Sequence, residues 1–175
     1  MIIDLKTLAK GPRRFSSTLE PDWWKGHDAD RQLLGLDGPL SYDINLYKAG
    51  GKYVLEGRLS GGLIVQCDRC LEPFHRDLKT EFRLFLALSR PDGDEADVEL
   101  VREDLFVDFI TGEELELEEV IREQIYLALP MKSLCKVDCL GLCPVCGVDL
   151  NIEQCGCERR SGHPGFAKLK ALKVR

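Results

Sequence analysis

Leu63-Ile-Val-Gln-Cys67-Asp-Arg-Cys70-Leu-Glu-Pro-Phe-His75-Arg-Asp-Leu-Lys-Thr-Glu-Phe82 runs as a strand into a pair of cysteines and leaves them as another strand. After the pair, Leu78, Phe82, Leu84 and Leu86 point one way, while His75, Asp77, Lys79, Glu81 and Arg83 point the other. That period of two belongs to a half-buried strand. Before it, Tyr53-Val-Leu-Glu-Gly-Arg-Leu-Ser60 and Leu63-Ile-Val65 read as strand, with Gly61 and Gly62 marking a bulge or bend between them. Cys67-Asp-Arg-Cys70 therefore sits at the tip of a β-hairpin. Redox CxxC pairs usually lie at a helix N-terminus, which lowers the pKa of the attacking thiol. Pro73 and the alternating row argue for strand instead, so a thioredoxin-like role is not expected.

The remaining six of the eight cysteines also come in close pairs: Cys135-Lys-Val-Asp-Cys139, Cys143-Pro-Val-Cys146-Gly147 and Cys155-Gly-Cys157. Thiolates this close in sequence reach one tetrahedral ion, and four half-sites suffice for two closed, all-cysteine zinc centres. Disulfide scaffolds are usually shorter secreted chains with small cores. Here Met1-Ile-Ile-Asp-Leu-Lys lacks a basic start followed by an apolar run, and no stretch of about 18 apolar residues spans a membrane. The expectation is a cytoplasmic chain in a reducing compartment, holding two structural Zn(2+) ions. Only eight residues separate Cys146 from Cys155, so a local site from Cys143, Cys146, Cys155 and Cys157 is geometrically easy. Cys67, Cys70, Cys135 and Cys139 would then form a long-range clamp. The rival pairing joins Cys67 and Cys70 to Cys143 and Cys146 as a two-knuckle ribbon. Either way both sites are closed, and closed sites are structural.

Charge is unevenly spread. The formal net charge is −6, yet residues 92–123 hold 14 acids against two bases, and residues 131–175 hold eight bases against four acids. Zinc changes this balance, because four thiolates around one dication carry −2 and two such sites take the chain to about −10. The basic tail is therefore weak evidence for nucleic acid on its own.

Ile2, Ile3 and Leu5 read as a short strand, whereas Gly11-Pro-Arg-Arg14 and Glu20-Pro-Asp-Trp-Trp24 read as loop. Trp23 and Trp24 are better taken as anchors of that loop than as a stacking surface, and His27 as a surface residue. Tyr42, Ile44 and Leu46 alternate with Asp43 and Asn45 in a strand that turns at Lys48–Lys52. Residues 89–97 form an acidic loop whose Asp92, Asp94 and Asp97 lack the glycine position and closing glutamate of a calcium loop. A strand is expected through Val98–Val107. Thr111 and Glu114 form a capping box for a helix whose Leu117, Val120, Ile121, Ile125 and Ala128 face a core, with Pro130 ending it. Phe166, Leu169 and Leu172 lie on one side of a short C-terminal helix. His75 and His163 are spare as ligands while cysteines are available. The fold expected is α+β: an antiparallel, barrel-like β-sheet with one long helix and a zinc-binding, Cys-rich C-terminal segment. Residues 1–130 form the sheet-plus-helix domain, and residues 131–175 the zinc-binding tail packed on it.

The segments Cys67-Asp-Arg-Cys70-Leu71, Glu119-Val-Ile-Arg-Glu-Gln-Ile-Tyr-Leu-Ala-Leu-Pro-Met131 and Cys139-Leu-Gly-Leu-Cys-Pro-Val-Cys-Gly-Val-Asp-Leu-Asn151 carry a likeness, followed in order by Cys155-Gly-Cys157 and Pro164-Gly-Phe-Ala-Lys-Leu. Over roughly residues 40–172 the chain resembles the YceD family, the large ribosomal RNA subunit accumulation proteins of bacteria and plastids. The family commonly has an acidic-proline-basic stretch where this chain has His163-Pro164-Gly165. The resemblance implies a non-enzymatic role in synthesis, processing or accumulation of large-subunit (23S) ribosomal RNA, through contact with the precursor or an assembling particle. Arg69, Lys136, Arg159, Arg160, Lys168, Lys170 and Lys173 are the candidate phosphate contacts. The alternative is a zinc-braced protein–protein adapter whose acidic stretch binds a basic ribosomal protein. An enzyme is not expected: there is no Ser/His/Asp set, no phosphate-cradling glycine loop and no HExxH.

Overall fold

In the computed structural model the residues described are 1–25, 32–88 and 107–157. In chain order the strands are β1 (Ile2–Asp4), β2 (Arg13–Leu19), β3 (Leu33–Leu36), β4 (Leu40–Ala49), β5 (Lys52–Gln66), β6 (Pro73–Leu88), β7 (Val107–Ile110) and β8 (Glu114–Glu116), and one helix follows, α1 (Leu117–Ala128). Single 3₁₀ turns occupy Leu5–Lys10 and Pro21–Trp24.

The hairpin of β5 and β6 is the spine, an unbroken antiparallel register from Tyr53↔Leu86 to Gln66↔Pro73. The expected bulge at Gly61 and Gly62 is absent, since both residues stay in register with Leu78 and Asp77. The glycines serve the other edge of β5, where β4 leaves after Ser60 and β3 takes over at Leu63. There the β3–β4 connection crosses close to β5. A Cβ on Gly61 would lie 2.9 Å from Leu40 Cδ1, and one on Gly62 2.7 Å from the Asp37 carbonyl oxygen. Only glycine admits that approach.

The sheet runs β2-β4-β5-β6-β7, with β3 also on β5. It is neither closed nor wholly antiparallel, which corrects the barrel-like expectation. β2 and β7 end the path without pairing to each other, and β7 lies parallel to β6 (Phe85↔Val107). A parallel neighbour needs a crossover rather than a tight turn, and residues 89–106 separate the two strands in sequence. Those residues lie outside the described ones, and with them the expected acidic loop and most of the strand expected at 98–107, as do His27, His163 and the expected C-terminal helix.

Two further expectations need correction. Arg13 and Arg14, expected in a loop, open the strand Arg13–Leu19, because β4 offers a seven-residue antiparallel ladder from Arg13↔Leu46 to Leu19↔Leu40. The capping box at Thr111 and Glu114 does not form. Glu114–Glu116 is drawn into β8 against β1, which buries Ile3 opposite Leu115. The helix begins at Leu117, whose N–H donates to the Met1 carbonyl at 3.0 Å, so a strand end supplies the acceptor that a capping side chain would have given.

From there the sequence reading holds. Leu117, Val120, Ile121 and Ile125 are buried with Leu46, Leu55, Leu63 and Leu86 in one apolar core between helix and sheet. Trp24 is buried in it too, its ring 5.7 Å from Tyr126, and the Trp23 indole N–H donates to Glu118 at 3.0 Å. Both tryptophans anchor the N-terminal segment to α1. Among the described residues no helix is long and apolar enough to cross a membrane. His75 sits on the polar row of β6 as expected, its Nδ1 2.5 Å from Asp37 and its Nε2 3.0 Å from Asp77. Hydrogen bonds first to Asp77 and then to Asp37 raise its pKa.

Ile121→Ala removes a fully buried side chain, so the free energy of unfolding should fall by about 2–5 kcal/mol. Leu127→Ala on the exposed face of α1 should change it by less than about 0.5 kcal/mol, both read by chemical denaturation. The His75 proton is held more tightly in the folded state than in the unfolded one, so its stabilisation is complete below the ordinary pKa of about 6.5 and lost as pH climbs through the raised folded value. His75→Gln should remove that loss. A denaturation midpoint of the parent chain that is flat from below pH 6.5 to well above it would contradict this assignment.

Candidate metal centres

The β5–β6 hairpin ends in residues 67–72, folded on themselves by Cys67 N–H to the Glu72 carbonyl (2.9 Å) and Leu71 N–H to the Cys67 carbonyl (2.9 Å). Leu71 takes a left-handed φ of 62°, which presents its side chain to solvent at the knuckle. The tip is tied to the segment after α1 by a two-way exchange. Asp68 N–H donates to the Ser133 carbonyl at 2.8 Å, and Ser133 N–H donates to the Asp68 carboxylate at 2.5 Å. Ser133 is fully buried by this contact. Two residues later the chain delivers Cys135, and then Cys139.

The result is a group of four sulfurs, Cys67, Cys70, Cys135 and Cys139, all within 4.8 Å of one another. Cys67 Sγ stands 3.8 Å from Cys139 Sγ, and Cys70 Sγ 3.8 Å from Cys135 Sγ. Zinc–sulfur bonds of about 2.3 Å directed to a tetrahedron place the sulfurs ~3.8 Å apart, whereas a disulfide needs ~2.05 Å. None of the eight cysteines is in a disulfide. Cys67, Cys70 and Cys139 are buried, and only Cys135 is exposed.

Cys143, Cys146, Cys155 and Cys157 form the second group, again within 4.8 Å. This knuckle closes through Gly147 N–H to the Cys143 carbonyl (2.9 Å) and Cys143 N–H to the Val148 carbonyl (2.8 Å), with Gly147 at φ 76°. Here only Cys143 is buried. The eight sulfurs thus group in the way that spacing favours, and not as the two-knuckle ribbon.

Acidity differs sharply within each group. Burial by itself would raise the Cys67 thiol, but N–H donors from Cys70, Cys135 and Arg69 prevail and bring it down to about 6. The Cys146 and Val145 N–H groups do the same for Cys143, also to about 6. Cys70 is pushed up to about 12 by burial and by its neighbouring thiols. Cys157 is pushed up to about 12 by the hydrogen bond with Cys146 and then by burial. Each group therefore pairs one acidified thiol, Cys67 or Cys143, with one, Cys70 or Cys157, that needs a cation's field to ionise. A divalent ion with sulfur affinity would supply that field.

The two groups are braced against each other. Leu142 N–H donates to the Arg69 carbonyl at 3.0 Å, and the Arg69 guanidinium donates to the Cys139 carbonyl at 2.7 Å. Asn151, in the loop of the second group, donates to Cys139 Sγ of the first at 3.4 Å and accepts from Leu140 N–H at 2.9 Å. Gly141 has φ 73°, and a Cβ there would stand 2.9 Å from the Arg69 carbonyl oxygen. Asp68, Ser133, Gly141 and Asn151 carry this geometry without being ligands, and the ligand pattern alone did not single them out. The signal open to a sequence reading was short polar residues interleaved with cysteines, a type that bonds to nearby backbone. Of the candidate phosphate contacts, Arg69 and Lys136 are exposed beside the first group. Arg159, Arg160, Lys168, Lys170 and Lys173 lie outside the described residues. His75 belongs to neither group.

Residues 55–173, which include all eight cysteines, match the family model described as Large ribosomal RNA subunit accumulation protein YceD, and the chain belongs to that family. An uncharacterized protein of Mycobacterium tuberculosis is 30% identical over 140 residues, covering 79% of this chain and 65% of its own length. The protein named Large ribosomal RNA subunit accumulation protein YCED homolog 1, chloroplastic, from Arabidopsis thaliana is 22% identical over 156 residues, covering 77% of this chain and 49% of its own. Its namesake from Zea mays is 24% identical, covering 77% and 53%. The chain thus spans about two thirds of the mycobacterial relative and about half of the plant proteins. No solved structure matches it.

Gly141→Ala forces a side chain into the left-handed region and against the Arg69 backbone, and should destabilise the protein by about 1–3 kcal/mol. Gly156→Ala, where a Cβ meets nothing within 4 Å, should stay within about 0.5 kcal/mol. Denaturation midpoints of the two variants check both statements.

Proposed function

We propose that this protein is a non-enzymatic ribosome biogenesis factor that supports synthesis, processing or accumulation of large-subunit (23S) ribosomal RNA in the cytoplasm. The observation that carries the reading is the family match over residues 55–173. One structural Zn(2+) ion would be held by Cys67, Cys70, Cys135 and Cys139, and a second by Cys143, Cys146, Cys155 and Cys157. When bound, each ion neutralises half the charge of its four thiolates and crosslinks the segments that carry them. Four protein ligands leave no position for water or substrate, which supports a bracing role and no catalysis.

The chain's own residues define the rest of the proposal. The sheet and α1, residues 1–130, form the rigid body, and the zinc-braced segment 131–175 is the part that meets the RNA precursor or a ribosomal protein. Arg69 and Lys136 stand exposed beside the first group, and Arg159, Arg160, Lys168, Lys170 and Lys173 follow the second in sequence. These seven cations would contact phosphate, which positions a protein on RNA without reading its sequence. A second reading, a protein–protein adapter, draws on the acids of residues 92–123. They would hold a basic ribosomal protein before it meets RNA.

Elemental analysis of the purified protein should find two zinc ions per chain, and Cys70→Ser should lower this to one. Cells lacking the protein should accumulate less mature 23S than small-subunit ribosomal RNA, and Cys70→Ser should fail to restore the ratio. Full rescue by a zinc-free variant would refute the bracing role, and an unchanged ratio in the depleted cells would refute the ribosomal one. Binding to a labelled 23S fragment should weaken steeply with salt, and Arg69→Ala with Lys136→Ala should reduce the log–log slope by about 1–2.

A further inference from the structure

A groove of about 660 Å³ opens between the β7–β8 edge and α1. Asp108, Glu114, Glu116, Glu119 and Glu123 line it, and among the described residues no basic residue does. Its floor is apolar, built from Leu84, Leu86, Ile110 and Val120, and its walls include Ile2 at 66% exposure and Phe109 at 58%. Several acids elsewhere have basic partners. Across the outer face of the sheet Asp43 pairs with Arg14, Glu81 with Arg58 and Glu56 with Arg83, while Glu113 beside the groove pairs with Lys6. Among the described residues none of the five groove acids has an ion-pair partner.

The arrangement selects its occupant. The described residues bring three or more metal-ligating atoms together only in the two cysteine groups, so the groove carboxylates do not converge on a single ion. Their charge is spread along a channel. Phosphate is repelled by such a field, which excludes the RNA backbone here. An apolar floor beneath a row of unpaired acids is complementary to a chain that alternates cations with aliphatic side chains.

We propose that this groove is the docking site for an extended, cationic polypeptide segment that carries aliphatic side chains between its bases. Its lysines or arginines would lie against Glu116, Glu119 and Glu123, and its aliphatic groups on Leu84, Ile110 and Phe109. The proposal rests on the adapter reading only for the identity of the partner, a basic protein of the assembling particle. It requires neither zinc nor RNA contact.

The test is fluorescence anisotropy on the full chain, with labelled Lys-Val-Lys-Val-Lys-Val-Lys-Val, labelled octalysine and a labelled 23S fragment as probes. The alternating peptide should bind more tightly than octalysine. Glu116→Gln/Glu119→Gln/Glu123→Gln should weaken the alternating peptide by about tenfold or more, each tenfold being ~1.4 kcal/mol. Asp22→Asn/Asp138→Asn/Glu153→Gln removes the same charge elsewhere and should cost less than about twofold. Phe109→Ser should weaken the alternating peptide but not octalysine, and unchanged thermal midpoints show that the variants fold. Equal losses in the two triple variants, or no binding at about 100 µM protein, would overturn the proposal. So would a parallel loss of the 23S fragment in the groove variant, which would assign the groove to RNA. Peptide binding that persists while the 23S fragment fails to bind would sink the RNA contact alone.

Discussion

Everything distal to α1 hangs on the exchange between Asp68 and Ser133. A hairpin of 15- and 16-residue strands projects its tip beyond the sheet, where the turn's own hydrogen bonds leave the Asp68 N–H to be satisfied from outside. The return segment supplies both a donor and an acceptor, and burying Ser133 removes water from the pair. A buried peptide group without such a partner costs about 1–3 kcal/mol, so the junction is held by what it would cost to open. Only with this junction made does Cys135 arrive beside Cys70, and Cys139 beside Cys67.

The second cysteine group inherits its place from the first. Arg69 bonds to Cys139 and Leu142 through its side chain and carbonyl, and Asn151 reaches back to the Cys139 sulfur. The coupling is asymmetric in burial, with three of four sulfurs enclosed in the first group and one of four in the second. An ion held by the first group would close a loop of many residues and restrain the unfolded chain most, whereas one in the second would organise a short local segment.

Charge is partitioned by face. On the outer sheet surface, acids and arginines alternate across neighbouring strands and cancel as cross-strand pairs. Among the described residues the five acids that line the groove between α1 and the β7–β8 edge have no such partners, and Leu84 and Ile110 are partly exposed between them. Net charge alone conceals this, since −6 over the whole chain says nothing about which acids are answered.

Local pattern by itself determined the hairpin with its cysteine tip and the apolar stripe of α1, and it favoured the short-range grouping of Cys143 to Cys157 over the rival ribbon. In each case strand alternation, helical spacing or ligand spacing is a property of neighbours along the chain. Tertiary structure decided the rest. The capping box at Thr111 gave way because burying Leu115 against Ile3 outweighs a cap that a Met1 carbonyl can replace. Arg13–Leu19, with only Phe15 and Leu19 partly buried, became a strand because β4 had an open edge to fill. The parallel placement of β7, and hence the open sheet and its acidic groove, depends on how a distant segment returns. No periodicity encodes that, because the contact that fixes it joins residues that are remote in sequence and adjacent only after folding.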